Sequence, residues 1–202
     1  MQAPEIVVYG TRLSGHAHRV ETFLRMLQLP FRSVEAGAAV RQSAEFRKLN
    51  PLGQIPVLTD GDLVLADSNA ILVYLAKRYA PGSAWLPEDA IGAARVQRWL
   101  SLAAGEIAFG PARARIQARF FDTGMPQPVM QDLAAKVLGF MNAELATTSF
   151  LAGDTATLAD LACYAYVAHA PEGGIDLAPY PHVQAWIARV QALPGFVPMP
   201  AE

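Results

Sequence analysis

The stretch that most constrains the fold is residues 49–68, LNPLGQIPVLTDGDLVLADS. Two short apolar runs in it, residues 56–58 and 63–65, flank Asp60-Gly61, a strong two-residue signal for a β-hairpin. Pro56 must stand at the first residue of its strand, because a proline further in would remove a ladder hydrogen bond. The Ile55–Pro56 bond can adopt the cis form at low cost, which would direct the amide and carbonyl of Ile55 outward. The stretch therefore predicts a hairpin whose entry can pair with another peptide.

Asp67 and Ser68 close this stretch and precede an amphipathic helix, predicted over residues 69–79. A helix N-terminus presents unpaired N–H groups and a partial positive charge, which suit a carboxylate. One short segment thus combines a backbone that can pair with a peptide and a site for a carboxylate. That combination suits a small peptide ligand.

The first 80 residues as a whole give the order β-α-β-α-β-β-α. Short apolar runs predict strands at residues 5–9 and 31–35, and helical spacing predicts a helix over residues 15–27. Residues 36–42 are predicted to be a loop, and Ser43 to cap a short helix that ends at Leu49. A β-α-β unit requires a parallel crossover, and the hairpin adds an antiparallel edge. The pattern is that of a thioredoxin-like domain.

After residue 80 the strand pattern is lost. Residues 81–88, PGSAWLPE, are predicted to be a linker. Helical spacing follows, in helices predicted at residues 89–121 with a bend at Gly110-Pro111, 127–147, 157–169 and 181–193. Thr157-x-x-Asp160 is a capping box in its acidic form. The chain is therefore predicted to have an α/β thioredoxin-like domain, residues 1–80, and an all-α domain, residues 89–202.

These motifs resemble those of the cytosolic glutathione S-transferases. The resemblance rests on four patterns, Asn50-Pro51-x-Gly53-x-Ile55-Pro56-Val57-Leu58, Asp67-Ser68-x-Ala70-Ile71, Tyr9-Gly10-x-x-x-Ser14-Gly15 and Gly153-Asp154-x-x-Thr157-Leu158-Ala159-Asp160. They occur in the family's order and spacing over nearly the whole chain. The resemblance implies the glutathione S-transferase fold and an enzyme of detoxification that joins alkyl or aryl groups to glutathione. It implies no metal and no cofactor beyond glutathione as co-substrate.

The chemistry that the resemblance implies requires the thiol of glutathione to be held as thiolate near neutral pH. A hydroxyl that donates to sulfur at a helix N-terminus does this, because both stabilise the anion. Ser14 stands just before the first helix, where serine-type members keep that hydroxyl, and is our predicted catalytic residue. Ser14 could equally be only the cap of its helix. Tyr9, inside the predicted strand, and Thr11 are the rival donors.

The resemblance also assigns residues to the peptide. Ile55, followed by Pro56, would pair its backbone with the cysteinyl unit. Asp67 would accept from the γ-glutamyl ammonium, and Ser68 would donate to the γ-glutamyl carboxylate. Asp67-Ser68 is also a plain helix cap, and both roles are compatible.

Two further groups of residues complete the predicted site. Arg41, or the neighbouring candidate Gln54, would reach the glycyl carboxylate. An apolar electrophile would be held in a second-substrate pocket lined by His16, Ile107, Arg115 and Tyr166. His16 could instead polarise the site or be only a surface cap at the start of its helix. Aromatic and aliphatic residues at helical spacing are more often core than pocket, so these last assignments depend on the structure.

Composition excludes several function classes. The net charge is −2 and only 17% of residues are charged, so no strong field attracts nucleic acid or an anionic membrane. No apolar run has the length to span a membrane. The one cysteine, Cys163, lies in an apolar run and is predicted to be buried, which fits a reducing compartment, the cytoplasm. No cysteine stands near Ser14, which disfavours the mixed-disulfide chemistry of glutaredoxin-like members.

Other functions and assembly states stay open at this point. The same fold could be a glutathione-binding or protein-interaction module without turnover, or a glutathione-dependent peroxidase or disulfide reductase. The third helix is apolar on more than one face over residues 70–76. The helix from residue 89 adds a mixture of apolar and basic residues, Val96, Trp99, Leu100 and Ala103 with Arg95 and Arg98. The two helices together predict a two-fold homodimer. Packing of the surplus apolar face of the third helix on the chain's own helical domain is the alternative.

Overall fold

The structure is a computed structural model that describes residues 5–199, and these form two compact units. The first unit contains residues 5–81 and 194–199, and the second contains residues 82–193. The division after residue 81 lies at the start of the predicted linker. Residues 194–199 were predicted to belong to the helical domain, but they join the first unit. The outermost residues of both predicted domains, 1–4 and 200–202, lie outside the described range.

The first unit has the predicted order of elements and one additional helix. Its elements are β1 (Ile6–Gly10), α1 (Gly15–Met26), β2 (Phe31–Glu35), α2 (Ala38–Gln42), α3 (Ala44–Leu49), β3 (Val57–Asp60), β4 (Leu63–Ala66) and α4 (Ser68–Tyr79). The additional helix, α2, occupies most of the predicted loop, and Ser43, the next residue, caps α3 as predicted. Five residues are too few for helical periodicity to show in a sequence, which is why α2 was missed.

The four strands form one sheet in the order β2-β1-β3-β4. β1 and β2 are parallel, as the α1 crossover requires, and β3 is antiparallel to both β1 and β4. A Cβ on Gly10 would lie 2.6 Å from the Cβ of Ala17, so α1 approaches the end of β1 closely because residue 10 has no side chain. Phe46 of α3 packs with Tyr9 and Val57. Tyr9 lies on the face of the sheet opposite to Gly10, because side chains alternate along a strand.

The hairpin has the predicted form and is tied to α4. Gly61 has a φ of 59°, which an Asp-Gly turn requires. Pro56 is buried and lies immediately before β3, and the Ile55–Pro56 bond is cis. Asp60 accepts hydrogen bonds from the Tyr74 hydroxyl at 2.7 Å and from the Tyr79 hydroxyl. These bonds hold α4 against the hairpin that precedes it.

Residues 194–199 return to the first unit and pack on α1. The ring of His18 donates from Nε2 to the carbonyl oxygen of Val197 at 2.7 Å and meets the ring of Phe196 edge-on at 5.9 Å. A Cβ on Gly195 would lie 3.0 Å from the Cα of Met26, so the backbone of this segment runs directly over the end of α1. The C-terminal segment is therefore an integral layer of the first unit.

The second unit is helical. Its elements are α5 (Ala90–Ala104), a π-helix (Ala108–Ala112), α6 (Arg113–Arg119), α7 (Gln127–Glu144), α8 (Leu158–Ala168), a 3₁₀-helix (Ala170–Gly173) and α9 (Pro181–Gln191). The bend predicted at Gly110-Pro111 is the π-helix, since Pro111 has no N–H to continue the regular ladder. Among residues 5–199, no helix is long and apolar enough to cross a membrane.

The carboxylate of Asp160 organises the interior of the second unit. It is 0% exposed, and its Oδ1 accepts from the backbone N–H of Leu151 at 3.0 Å and from the indole N–H of Trp186 at 2.8 Å. Its Oδ2 accepts from the backbone N–H of Thr157 at 2.8 Å, which completes the predicted capping box. Burial raises the pKa of Asp160 against the lowering effect of these hydrogen bonds. Cys163 on the same helix is buried, as predicted.

Candidate functional site

Ser14 caps the N-terminus of α1. Its backbone is extended, and its Oγ accepts from the N–H of Ala17 at 3.2 Å, so the capping role is confirmed. The preceding turn is closed by a hydrogen bond from the Ser14 N–H to the Thr11 carbonyl oxygen at 3.0 Å. A hydroxyl has one proton and two lone pairs, so accepting at the cap leaves the Ser14 proton able to serve a ligand. The cap and the predicted catalytic role are therefore compatible.

Asp67 caps the N-terminus of α4. Its Oδ1 accepts from the N–H groups of Asn69 and Ala70, both at 2.9 Å. Its φ of 73° lies in the left-handed region, which costs free energy for a residue other than glycine. The capping bonds help to hold that conformation. The carboxylate itself remains exposed and can meet a cation while it caps the helix.

Ser68 is where α1 and α4 meet. Its hydroxyl is 4% exposed and lies 3.3 Å from Nδ1 of His16 and 3.2 Å from Nη1 of Arg19. Arg19 also donates to Oδ1 of Asn69 at 2.9 Å. Four side chains thus join the N-terminal parts of two helices that are about fifty residues apart in the sequence. The N-termini of α1 and α4 converge on one place.

Sequence reasoning missed Arg19, which is 2% exposed. The signal was present, because Arg19 stands four residues before Phe23 and therefore on the apolar face of α1. A basic residue on such a face brings a fixed positive charge into the interior. Here that charge lies beneath Ser68, where the γ-glutamyl carboxylate was predicted to bind.

His16 lies beside Ser68 and has a perturbed pKa. Burial and then the positive charge of Arg19 lower the pKa of His16 to about 3, so its ring is neutral at physiological pH. It was assigned to the second-substrate pocket, but its Nδ1 lies within hydrogen-bond distance of Ser68. That contact groups His16 with the residues predicted for the γ-glutamyl end of the peptide.

The loop before Ile55 is held in place by Asn50. The Asn50 side chain donates to the Gln54 carbonyl oxygen at 2.9 Å and accepts from the Leu52 N–H at 3.1 Å. Gly53 has a φ of 63°, and a Cβ on it would lie 3.1 Å from the carbonyl oxygen of Arg41. The structure therefore brings α2, which carries Arg41, beside the loop that carries Gln54. Sequence reasoning used Asn50 as part of a motif without giving it this role.

Three other candidates have clear surroundings. Ile55 is half-buried and packs on the cluster around Phe46, next to Tyr9. Tyr9 pairs with Val57 in the sheet and meets Phe46 edge-on at 6.2 Å, so it belongs to the core, as the sequence favoured. The Thr11 backbone closes the turn before Ser14, and its side chain is half-buried.

The remaining second-substrate candidates belong to the second unit, and all three are buried. Ile107, Arg115 and Tyr166 are 0%, 2% and 3% exposed. Arg115 donates from Nε to Glu172 at 2.7 Å, and Glu172 in turn contacts the ring of His169. The place of Ile107, Arg115 and Tyr166 in a second-substrate pocket stays a prediction. Within residues 5–199, no group of three or more His, Cys, Asp or Glu side chains is arranged to hold a metal ion.

The class of protein follows from two features of the chain. It has a thioredoxin-like unit in which two helix N-termini converge on the candidate site, and it has a separate helical unit. Residues 8–83 match the family model for the glutathione S-transferase N-terminal domain, and residues 129–194 match the one for the C-terminal domain. The chain is 36% identical to glutathione S-transferase 3 of Zea mays over 203 residues, which cover 94% of this chain and 90% of the relative.

Solved structures agree with these matches. A glutathione S-transferase from Pseudomonas fluorescens superimposes with a TM-score of 0.87 at 34% identity, over 97% of this chain and 99% of that one. A theta-class glutathione S-transferase from Xanthomonas axonopodis, solved with glutathione bound, gives a TM-score of 0.82 at 27% identity, over 95% of each chain. The chain belongs to the glutathione S-transferase family. The predicted family and fold are confirmed.

Proposed function

We propose that this protein is a serine-type glutathione transferase, which binds glutathione on its first unit and activates the thiol through Ser14. The observation that carries the proposal is the convergence of the N-termini of α1 and α4 through Ser68, His16 and Arg19. Two helix N-termini and a buried guanidinium together favour a bound anion. The glutathione found in the Xanthomonas relative supports the choice of ligand.

The peptide would extend from α4 along the loop before β3. Asp67 would accept from the γ-glutamyl ammonium, and Ser68 would bind the adjoining carboxylate. The backbone of Ile55 would pair with the cysteinyl unit, and Arg41 or Gln54 would reach the glycyl carboxylate. The close approach of Gly53 to Arg41 supports the last assignment.

In the proposed reaction the thiol of bound glutathione loses its proton to solvent, and the sulfur stays as thiolate. The Ser14 hydroxyl donates to that sulfur, and the N-terminus of α1 adds its partial positive charge. The thiolate then attacks an electrophilic carbon of a small apolar substrate. A carbon–sulfur bond forms, and the leaving group departs with its electron pair, or an epoxide opens. Holding the thiolate beside the electrophile supplies the remaining rate gain.

One experiment separates this activity from its competitors. Glutathione is titrated into the protein by calorimetry, and turnover is then measured with aryl halides, epoxides, peroxides and mixed disulfides. Conjugation of halides or epoxides is the expected result. Binding without turnover would indicate a binding module, and turnover restricted to peroxides or disulfides would indicate a peroxidase or reductase.

Replacing Ser68 with alanine is expected to weaken glutathione binding by about 1–3 kcal/mol, the cost of hydrogen bonds to charged groups left unmade. Calorimetry on the folded variant measures this. Ser101→Ala removes a hydroxyl from the exposed face of α5 and is the matched control. If Ser68→Ala binds glutathione as the wild type does, Asp67-Ser68 is only a helix cap.

We also propose that the protein is a cytoplasmic homodimer. On α4, Ile71, Leu72 and Leu75 are buried, whereas Ala70 is exposed and Val73 is half-buried, so part of the apolar surplus faces outward. The apolar residues of α5 that were predicted for the interface are buried within the chain, and of the predicted set only Arg95 and Arg98 are exposed. Size-exclusion chromatography with light scattering should give a molecular mass of twice 21.7 kDa at micromolar concentration. A mass of one chain would contradict the dimer.

A further inference from the structure

We infer that His16 is a positioning residue that sets the direction of the Ser68 hydroxyl, and that bound glutathione fixes the His16 ring with its proton on Nδ1. This inference rests on the proposed function, because it concerns how the γ-glutamyl carboxylate is received. It moves His16 from the second-substrate pocket to the peptide site.

The first step is the hydrogen-bonding capacity of Ser68. Its hydroxyl has one proton and two lone pairs. A guanidinium can only donate, so Arg19, at 3.2 Å, occupies one lone pair. The direction of the remaining bond, to Nδ1 of His16 at 3.3 Å, decides what Ser68 can offer to a ligand.

The His16 ring permits both directions. If Nδ1 carries the ring proton, His16 donates to Ser68, and the Ser68 proton is directed at the ligand. If Nε2 carries it, Nδ1 accepts a hydrogen bond from the Ser68 hydroxyl. Ser68 can then only accept hydrogen bonds from a ligand. The low pKa of His16, about 3, keeps the ring neutral, so both tautomers are accessible at physiological pH. A carboxylate has no proton to give and therefore selects the first state.

The burial of Ser68 makes this coupling effective. At 4% exposure, water cannot readily replace either partner of the hydroxyl. Removing the His16 ring therefore leaves the Ser68 proton undirected. With Arg19 still donating to the oxygen, the hydroxyl can turn into the space left by the ring rather than toward the carboxylate.

The test is a double-mutant cycle on glutathione affinity, measured by calorimetry. We expect His16→Ala to weaken binding about five- to tenfold, the effect of one hydrogen bond. In the Ser68→Ala background the same change should have an effect of less than about twofold, because the hydroxyl that His16 directs is absent. His16→Asn places an amide where Nδ1 was and should restore affinity to within about twofold. His182→Ala, on the exposed face of α9, is the matched control for a lost histidine.

A spectroscopic measurement distinguishes positioning from a merely structural role. In the NMR spectrum of ¹⁵N-labelled protein, the ring-nitrogen signals of His16 are identified because they are absent from the spectrum of His16→Asn. On saturation with glutathione, Nδ1 should be the protonated nitrogen. This measurement uses wild-type protein for the result itself, so it remains decisive if His16→Ala does not fold.

The outcomes separate this inference from the proposed function. Wild-type protein that does not bind glutathione would overturn both. If the wild type binds glutathione, three results would overturn only the role of His16. These are unchanged affinity in His16→Ala, additive losses in the cycle, and a proton on Nε2 in the complex. The complete set of expected results supports it.

Discussion

Replacing Asp160 with alanine is expected to lower the free energy of unfolding by about 4 kcal/mol, because each buried donor left unsatisfied costs about 1–3 kcal/mol. Three N–H donors would lose their acceptor, namely the backbone N–H groups of Leu151 and Thr157 and the indole N–H of Trp186. A loss of this size is a large part of the about 5–15 kcal/mol that stabilises an ordinary protein. Partial unfolding at physiological temperature is therefore the expected phenotype.

Urea denaturation followed by circular dichroism measures this effect. Asp132→Ala, which removes an exposed carboxylate from α7, is the matched control and should change stability by less than about 0.5 kcal/mol. Asp160→Asn keeps a carbonyl oxygen in place and should have an intermediate effect. A loss in Asp160→Ala no larger than in the control would mean that the three donors find other acceptors.

The second large effect is expected in Ser14→Ala. A hydrogen bond to a charged group contributes about 1.5–3 kcal/mol, so its loss should reduce the thiolate fraction of bound glutathione at neutral pH about ten- to hundredfold. Glutathione affinity should stay within a few-fold, because Ser14 is proposed to contact the sulfur and not the ends of the peptide. Thiolate absorbance against pH, on protein saturated with glutathione, measures the thiolate fraction and its titration, and calorimetry measures the affinity.

Two control variants separate the catalytic role of Ser14 from its cap. Ser14→Thr keeps both the hydroxyl and the cap, and should retain most of the thiolate. Ser14→Asn keeps a good cap but replaces the hydroxyl. It should have the melting temperature of the wild type and a lower thiolate fraction of bound glutathione. An unchanged thiol titration in Ser14→Ala would move the role to Tyr9, to Thr11 or to backbone N–H groups.

The sequence was sufficient for the features that depend on local chemistry. Asp60-Gly61 located the hairpin, and Ser43, Asp67 and Thr157 located three helix starts, because turns and caps depend on residues a few positions apart. Pro111 located the interruption between α5 and α6 for the same reason.

Features that depend on distant residues were not predictable in this way. The contact of Ser68 with His16 and Arg19 joins two helices whose relative rotation no single helix pattern specifies. The pocket assignment of Ile107 and Tyr166 stays a prediction for a related reason. Helical spacing shows that a face is apolar, but not whether that face meets a ligand or the protein's own core.

The placement of residues 194–199 on α1 limits how this protein can be divided. A fragment ending at residue 81 would lack the carbonyl oxygen of Val197 that His18 holds, and the segment that covers Met26. During synthesis, the first unit cannot reach its final form until the whole helical unit has been made. An exchange of domains between relatives must therefore transfer two separate pieces of sequence together, or the helix that carries Ser14 loses one of its supports.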